Sequence, residues 1–269
     1  MSRDVLSRYR VRVVGRGSRT LLLAHGFATD QRIWRLLSPL LEPHYRLVLF
    51  DYLGAGQPDL DAYWSRRYDT LDGYATDLLE VTAALDLHDV TLVAHSVSGM
   101  VGVLAANREP GRFSHLVLIG PSPRYLNDTG YAGGFERADV DHMLGNMEKD
   151  YAGWAAFLAP RVTQNADRPW LAFEVEQSFR DTNPDVARHL AQVLFYSDHR
   201  DALAKVTVPS LVLQCADDLI SPESVGEYLR DNLPHSTLRF LAAHGHFPQL
   251  TDPEETAAAI RAYLETRAA

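Results

Sequence analysis

The stretch Thr91-Leu-Val-Ala-His-Ser-Val-Ser-Gly-Met100 runs an apolar, β-rich segment straight into an apolar, helix-forming one, with Ser96 at the junction. A serine on a sharp strand-to-helix turn presents its hydroxyl above the sheet, and the crowded turn demands small residues two before and two after it. Glycines are usual there; this chain has Ala94 and Ser98, the next smallest, with Gly99 following. The helix N-terminus aims its dipole where an oxyanion would form. A serine N-cap gives the same local pattern, so the rest of the constellation decides. A serine is inert at neutral pH without a base, and the base needs a carboxylate to orient it. Both are present. The run Leu211–Gln214 leads through Cys215 and Ala216 to Asp217 and Asp218, and the run Thr237–Leu241 leads to His244, Gly245 and His246.

Two local choices follow. Neighbouring side chains in an extended loop diverge, so one of Asp217 and Asp218 faces the histidine. Asp218 is the expected acid, which leaves Asp217 as a solvated or capping carboxylate; Asp128 is a poor third candidate. His246 follows a glycine that lets the loop turn and is the expected base, with His244 peripheral. An oxyanion hole needs two backbone N–H groups. The expected donors are Val97, the residue after the serine, and Phe27, in the loop His25-Gly26-Phe27 after the apolar run Leu21–Ala24. His25 and His95 read as buried packing residues.

The elements that must position these groups are legible in the periodicities. Strands are expected at Tyr9–Val14, Leu21–Ala24, Arg46–Phe50, Val90–Ala94, His115–Ile119, Leu211–Gln214 and Thr237–Leu241. Helices are expected at Gln31–Leu41, with Asp30 as N-cap, and at Thr70–Leu85, Val97–Asn107 and Pro253–Tyr263. Runs that are apolar on both faces and alternate with helices indicate a mostly parallel sheet covered on both sides. From Arg124 to Lys205 the strands stop and helical spacing takes over. The chain therefore divides into core residues 1–123, a helical insertion at 124–205 and core residues 206–269. In such sheets the functional loops gather at the carboxyl ends of the strands. The order Ser, Asp, His is the one found in α/β-hydrolases.

Composition narrows the function. Lys and Arg number 26 against 35 Asp and Glu, a net charge of −9 that disfavours nucleic acid and anionic membrane. Hydrophobic residues at 46% and charged ones at 23% describe an ordinary globule. A single cysteine, Cys215, excludes an internal disulfide and a cysteine-rich metal site, and reads as buried packing. No apolar run approaches the ~18 residues of a membrane span. Charges interrupt the N-terminus, so no signal segment is expected and the cytoplasm is the default location.

Other motifs are weaker. Asp51-Tyr-Leu-Gly-Ala-Gly-Gln-Pro58 lacks a third glycine and a following helix, so it reads as a tight turn and not a dinucleotide site. Asp139, Asp141 and His142 match no ligand spacing; no metal or cofactor is expected. Asp198-His199-Arg200 could tie the insertion to the core through charge pairs. Aromatic residues of the insertion are expected to roof a pocket above Ser96, lined by Phe27, Phe135, Trp154, Phe157, Val193 and Phe195. With no Arg or Lys aimed there, a small apolar ester or lactone is the expected ligand class.

The chain resembles the lidded α/β-hydrolase group that contains the bacterial stress regulator RsbQ and the plant strigolactone and karrikin receptors. The blocks that carry the resemblance include FDYLGAGQPDLDAY, TLDGYATDLLEV, AHSVSGM, FSHLVLIGPSPRYLND, YAGGFE, MEKDYAGWA, FYSDHRDALAKVTVPSLVLQCADD and GHFPQ. They span nearly the whole chain. The resemblance implies Ser96, Asp218 and His246 as the triad, a lid of four helices arranged as a V, and a hydrophobic pocket for butenolides or similar carbonyl compounds. It also implies a signalling role through a partner such as a PAS-domain phosphatase. Ala94 departs from the glycine typical of the group. Two functions are thus expected: a serine hydrolase with an acyl-enzyme, or a sensor that turns over slowly and reports its ligand through the lid. Nothing marks a dimer patch, so a monomer is the default. Dehalogenase or epoxide hydrolase chemistry would want Asp in place of Ser96; C–C bond hydrolysis or cofactor-free peroxidase chemistry fits the same scaffold.

Overall fold

The computed structural model describes residues 2–56, 63–64 and 67–266. Gln57 and Pro58, the end of the glycine turn, lie outside the described residues, as does part of the block FDYLGAGQPDLDAY. Among the described residues, seven strands form one sheet: β1 (Arg12–Val14), β2 (Thr20–Ala24), β3 (Arg46–Leu49), β4 (Val90–His95), β5 (Phe113–Ile119), β6 (Ser210–Ala216) and β7 (Ser236–His244). Their order is β1-β3-β2-β4-β5-β6-β7. Only β1, at an edge, runs antiparallel to its neighbour. Every residue of β4 is buried, which is why its sequence shows no alternation.

The longer helices are α1 (Ser2–Arg8), α2 (Leu71–Ala84), α3 (Val97–Arg108), α4 (Arg137–Lys149), α5 (Tyr151–Thr163), α6 (Pro169–Asp181), α7 (Pro184–Tyr196), α8 (Glu223–Asn232) and α9 (Pro253–Thr266). Thr70 caps α2 by accepting the Asp72 N–H, and Asn183 caps α7 by accepting the N–H groups of Asp185 and Val186. Helices α4 to α7 all fall between β5 and β6.

The local pattern misleads at three places. The strand expected from Tyr9 begins only at Arg12, because Arg10 has φ 47° and Tyr9 is drawn fully into the core at the end of α1. The helix expected over Gln31–Leu41 splits into a 3-10 turn, Gln31–Trp34, and a short helix, Ser38–Leu41. Pro39, which has no N–H to donate to a preceding turn, lies at its start. Asp30 does cap the first turn, accepting the Arg32 N–H at 2.8 Å. The spacing of Val140, Met143, Leu144, Met147 and Tyr151 predicts one shared helical face, yet Met147 and Tyr151 belong to different helices, because Asp150 stops α4 and caps α5 by accepting the Gly153 N–H.

Candidate active site

Strand β4 ends in the turn to α3, and Ser96 takes φ 57° and ψ −125° there. This is a strained conformation for a residue with a Cβ, costing on the order of 1–3 kcal/mol. It is held because the Ser96 N–H still donates to Ile119 O of β5, at 2.8 Å, while its carbonyl accepts the Gly99 N–H at 2.8 Å. The crowding expected around the turn is present. A Cβ on Gly26 would stand 2.6 Å from His95 Nδ1 and 3.2 Å from Ser96 Cβ. Ser98, in the position usually held by glycine, is fully buried. Its hydroxyl donates to His25 O, and Tyr52 Oη lies 3.2 Å away.

The acid loop sorts its two carboxylates by backbone conformation. Asp217 has φ 53°, which swings its side chain outward to an exposed pairing with His244 Nδ1 at 3.0 Å. Asp218 turns inward. Its Oδ1 accepts the N–H groups of Ile220 at 2.8 Å and Ser221 at 3.1 Å. Its Oδ2 lies 2.8 Å from His246 Nδ1. Gly245 has φ 77°, and a Cβ there would meet Val162 O at 2.7 Å. The turn it makes brings His246 Nε2 to 2.8 Å from Ser96 Oγ. An acid acceptor on Nδ1 leaves Nε2 as acceptor for the Ser96 hydroxyl. Ser96, His246 and Asp218, drawn from three separate loops, thus form one hydrogen-bonded line, and all three are buried.

The His246 backbone is anchored on both sides. Its N–H donates to Val162 O of α5 at 2.7 Å, and its carbonyl accepts from His95 Nε2 at 2.7 Å. Burial holds His95 well below the ordinary histidine pKa, helped by the neighbouring His246. His25 is also lowered by burial; its Nε2 accepts the Tyr52 N–H at 3.1 Å. Both are neutral packing residues at neutral pH.

Above Ser96 lies a cavity with about 470 Å³ of atom-free space, part of it open to solvent. Phe27, Trp154 and Phe195 line it. The other three expected wall residues do not. Phe157 is 58% exposed, and Arg161 lies over its ring on the outer face of α5. Val193 faces a groove beside Asp69 and Tyr196 on the other side of α7. Phe135 packs behind Phe195, with ring centroids 5.2 Å apart. Met143, Leu158, Val162, Phe179, Leu194, Ile220 and Phe247 take part in the walls instead. A helical spacing of four from Trp154 would have found Leu158 and Val162. Ile220 and Phe247 could have been read from their closeness in sequence to Asp218 and His246. Tyr125, also missed, is buried near the serine, and burial raises its phenol.

Other singled-out groups lie apart from the line. Burial pushes the Cys215 thiol up, which leaves it an inert packing residue. Asp139 belongs to the capping box of α4. Asp198 pairs with Arg124 at 2.8 Å and Arg200 at 2.7 Å, and Arg200 also reaches Asp128 at 2.8 Å. These pairs join the two segments that flank helices α4 to α7. Among the described residues, no three His, Cys, Asp or Glu side chains cluster as metal ligands. No described helix is long and apolar enough to cross a membrane.

The profile of the α/β hydrolase family matches residues 21–259. The chain belongs to the α/β hydrolase family. Among its relatives, a strigolactone esterase of Arabidopsis thaliana is 41% identical over 262 residues, covering 97% of this chain and 98% of the relative. A karrikin insensitive 2 receptor of Petunia hybrida is 39% identical over 248 residues, covering 91% of this chain and 92% of the relative. A solved hydrolase from Oleispira antarctica superposes with a TM-score of 0.95 at 37% identity, covering 99% of this chain and 98% of that one. This α/β hydrolase is thus related over its full sheet and over the helices between β5 and β6, not through a shared motif alone.

Proposed function

We propose that this α/β hydrolase is a serine esterase or lactonase for small hydrophobic carbonyl compounds. The observation that carries the reading is the hydrogen-bonded line Ser96–His246–Asp218 at the floor of an apolar cavity. Ser96 Oγ attacks the carbonyl carbon as its proton passes to His246 Nε2, and Asp218 steadies the imidazolium. The N–H groups of Phe27 and Val97 receive the oxyanion. Collapse breaks the bond to the leaving oxygen, which takes the proton from His246. Water, deprotonated by the same nitrogen, then releases the acyl group and restores Ser96. The apolar walls favour uncharged substrates, and the name of the Arabidopsis thaliana relative points to strigolactones.

A second reading is favoured by the likeness to a karrikin receptor and by the way α5 holds the His246 backbone. Residues 124–205 then act as a lid in which α4 to α7 form a V. Slow turnover or a persistent adduct shifts the lid, and a partner protein, such as a PAS-domain phosphatase, reads the new surface. Progress curves on a panel of small esters and butenolides, for the native protein and Ser96→Ala, test both. Sustained Ser96-dependent turnover supports the enzyme. A single-turnover burst with a serine adduct and an altered melting temperature supports the sensor. Activity that survives Ser96→Ala, or no reaction even with a fluorophosphonate, overturns the serine mechanism.

A further inference from the structure

The peptide that offers the Phe27 N–H is fixed by its other end. In a planar trans peptide the carbonyl and the N–H point in opposite directions, so whatever grips Gly26 O aims the Phe27 N–H. Two groups grip it: His25 Nδ1 at 3.0 Å and the Thr29 hydroxyl at 3.0 Å. With Nε2 accepting from Tyr52, Nδ1 is the nitrogen that donates. Thr29 reaches back to Gly26 only because the intervening Ala28 adopts φ 50°, a left-handed conformation that an alanine rarely takes. Something must hold Ala28 there.

The holder comes from the helical insertion. The Thr182 hydroxyl, just past the end of α6, lies 3.2 Å from Ala28 O. Thr182 is buried, and the same hydroxyl has Ser178 O of its own helix at 3.2 Å as a second acceptor. The neighbouring Asp181 pairs with Arg32 at 2.6 Å, and Arg32 pairs with Asp30 at 2.7 Å on the far side of the same loop. Phe179, whose carbonyl accepts the Thr182 N–H at 3.1 Å, stacks on Trp154 at 5.4 Å, and Trp154 meets the Phe27 ring edge-on at 6.1 Å. Thr182 therefore touches the loop directly, while Asp181 and Phe179 reach it through one intermediary each, Arg32 and Trp154.

We infer that Thr182 is a positioning residue for the oxyanion hole, acting through Ala28, Thr29 and the Gly26–Phe27 peptide, so that the seating of the insertion sets the aim of the Phe27 N–H. This rests on the serine hydrolase reading and adds to it that the hole is completed by an element outside the sheet.

The test compares native protein, Thr182→Val and Thr182→Ser on a 4-nitrophenyl ester. The same proteins are titrated with an alkyl boronic acid, which forms a tetrahedral adduct on the serine, and with the carboxylate product. Thr182→Val is expected to lower kcat by about 10- to 100-fold with KM changed less than about twofold. Affinity for the boronic acid should fall by a similar factor and affinity for the product should hold. Thr182→Ser, which keeps the donor, should return kcat to within about threefold of native. Should Thr182→Val not fold, Thr182→Ala and the exposed change Asp181→Asn carry the same measurements. A folded Thr182→Val or Thr182→Ala protein with kcat within about twofold of native overturns the proposal. So does a loss of kcat with the boronic acid to product affinity ratio unmoved. If the native protein shows neither Ser96-dependent hydrolysis nor fluorophosphonate labelling, the hydrolase reading itself falls and the positioning role falls with it. The first two results leave that reading standing.

Discussion

Trp154, Leu158 and Val162 stand four residues apart on α5 and share the face that meets the cavity. Phe157 is one residue from that stripe and points to solvent. Equal aromatic character therefore has unequal consequences. Phe157→Ala is expected to leave kcat/KM within about twofold of native, since no cavity wall is lost. Trp154→Ala should raise KM and cost about 3–5 kcal/mol of stability, the range for truncating a large buried aromatic. Steady-state kinetics and urea unfolding on the two variants check this; equal kinetic effects would contradict the assignment of faces. The two carboxylates of the acid loop separate in the same way. Asp218→Asn removes the charge that faces imidazolium and should lower kcat by several orders of magnitude, about 10⁴ where a comparable change has been made. Asp217→Asn, on an exposed pair with His244, should change kcat less than about threefold. A reversal of that ranking would reassign the acid.

At the scale of elements, α2 carries a buried carboxyl group. Asp77 is fully buried, with the Tyr9 and Tyr68 hydroxyls at 2.9 and 2.8 Å and Arg67 at 3.0 Å. Burial dominates over these partners and pushes its carboxyl up to about 6. A carboxyl raised on folding binds its proton more tightly in the native state, so it stabilises below the unfolded value near 4. That contribution is lost as pH rises through about 6. The full swing is about 3 kcal/mol. Asp30 and Asp198, whose arginine partners hold them low, act in the opposite sense in acid. Comparison with Asp77→Asn isolates the one group: the stability of the native protein relative to the variant should fall between pH 4 and pH 7. Parallel stability curves for the two proteins would remove the claim.

On the scale of the whole molecule, the helices between β5 and β6 are fastened to the rest of the chain by unequal contacts. Thr182 to Ala28 and His246 to Val162 are buried hydrogen bonds. Arg35 to Glu174 and Arg32 to Asp181 are exposed ion pairs, each worth about 0–1 kcal/mol and weakened by salt. Arg35→Ala should therefore shift global stability by less than about 1 kcal/mol, yet speed local amide exchange along α6, where opening needs less free energy than global unfolding. Hydrogen exchange by mass spectrometry at low and high salt reads this; α6 exchange that ignores both salt and the substitution would show that the ion pairs fasten nothing.

The strand-rich core and the residues of the hydrogen-bonded line could be read from the chain alone. β4, β5 and β6 are apolar on both faces because both faces are covered, and that leaves a mark in sequence that needs no partner to see. The small residues around the Ser96 turn reflect local steric demands, which sequence records directly. Other features depended on what packs where. Each of α4 to α7 has apolar residues toward its neighbours and toward the cavity, so composition could not tell Phe157 and Val193 from Leu158 and Leu194. The buried Asp77 is acceptable only because residues 9, 67 and 68 converge on it. The left-handed Ala28 is held by Thr182, a residue 154 positions away. Contacts between residues so distant in sequence leave no local pattern, and only the tertiary structure could decide them.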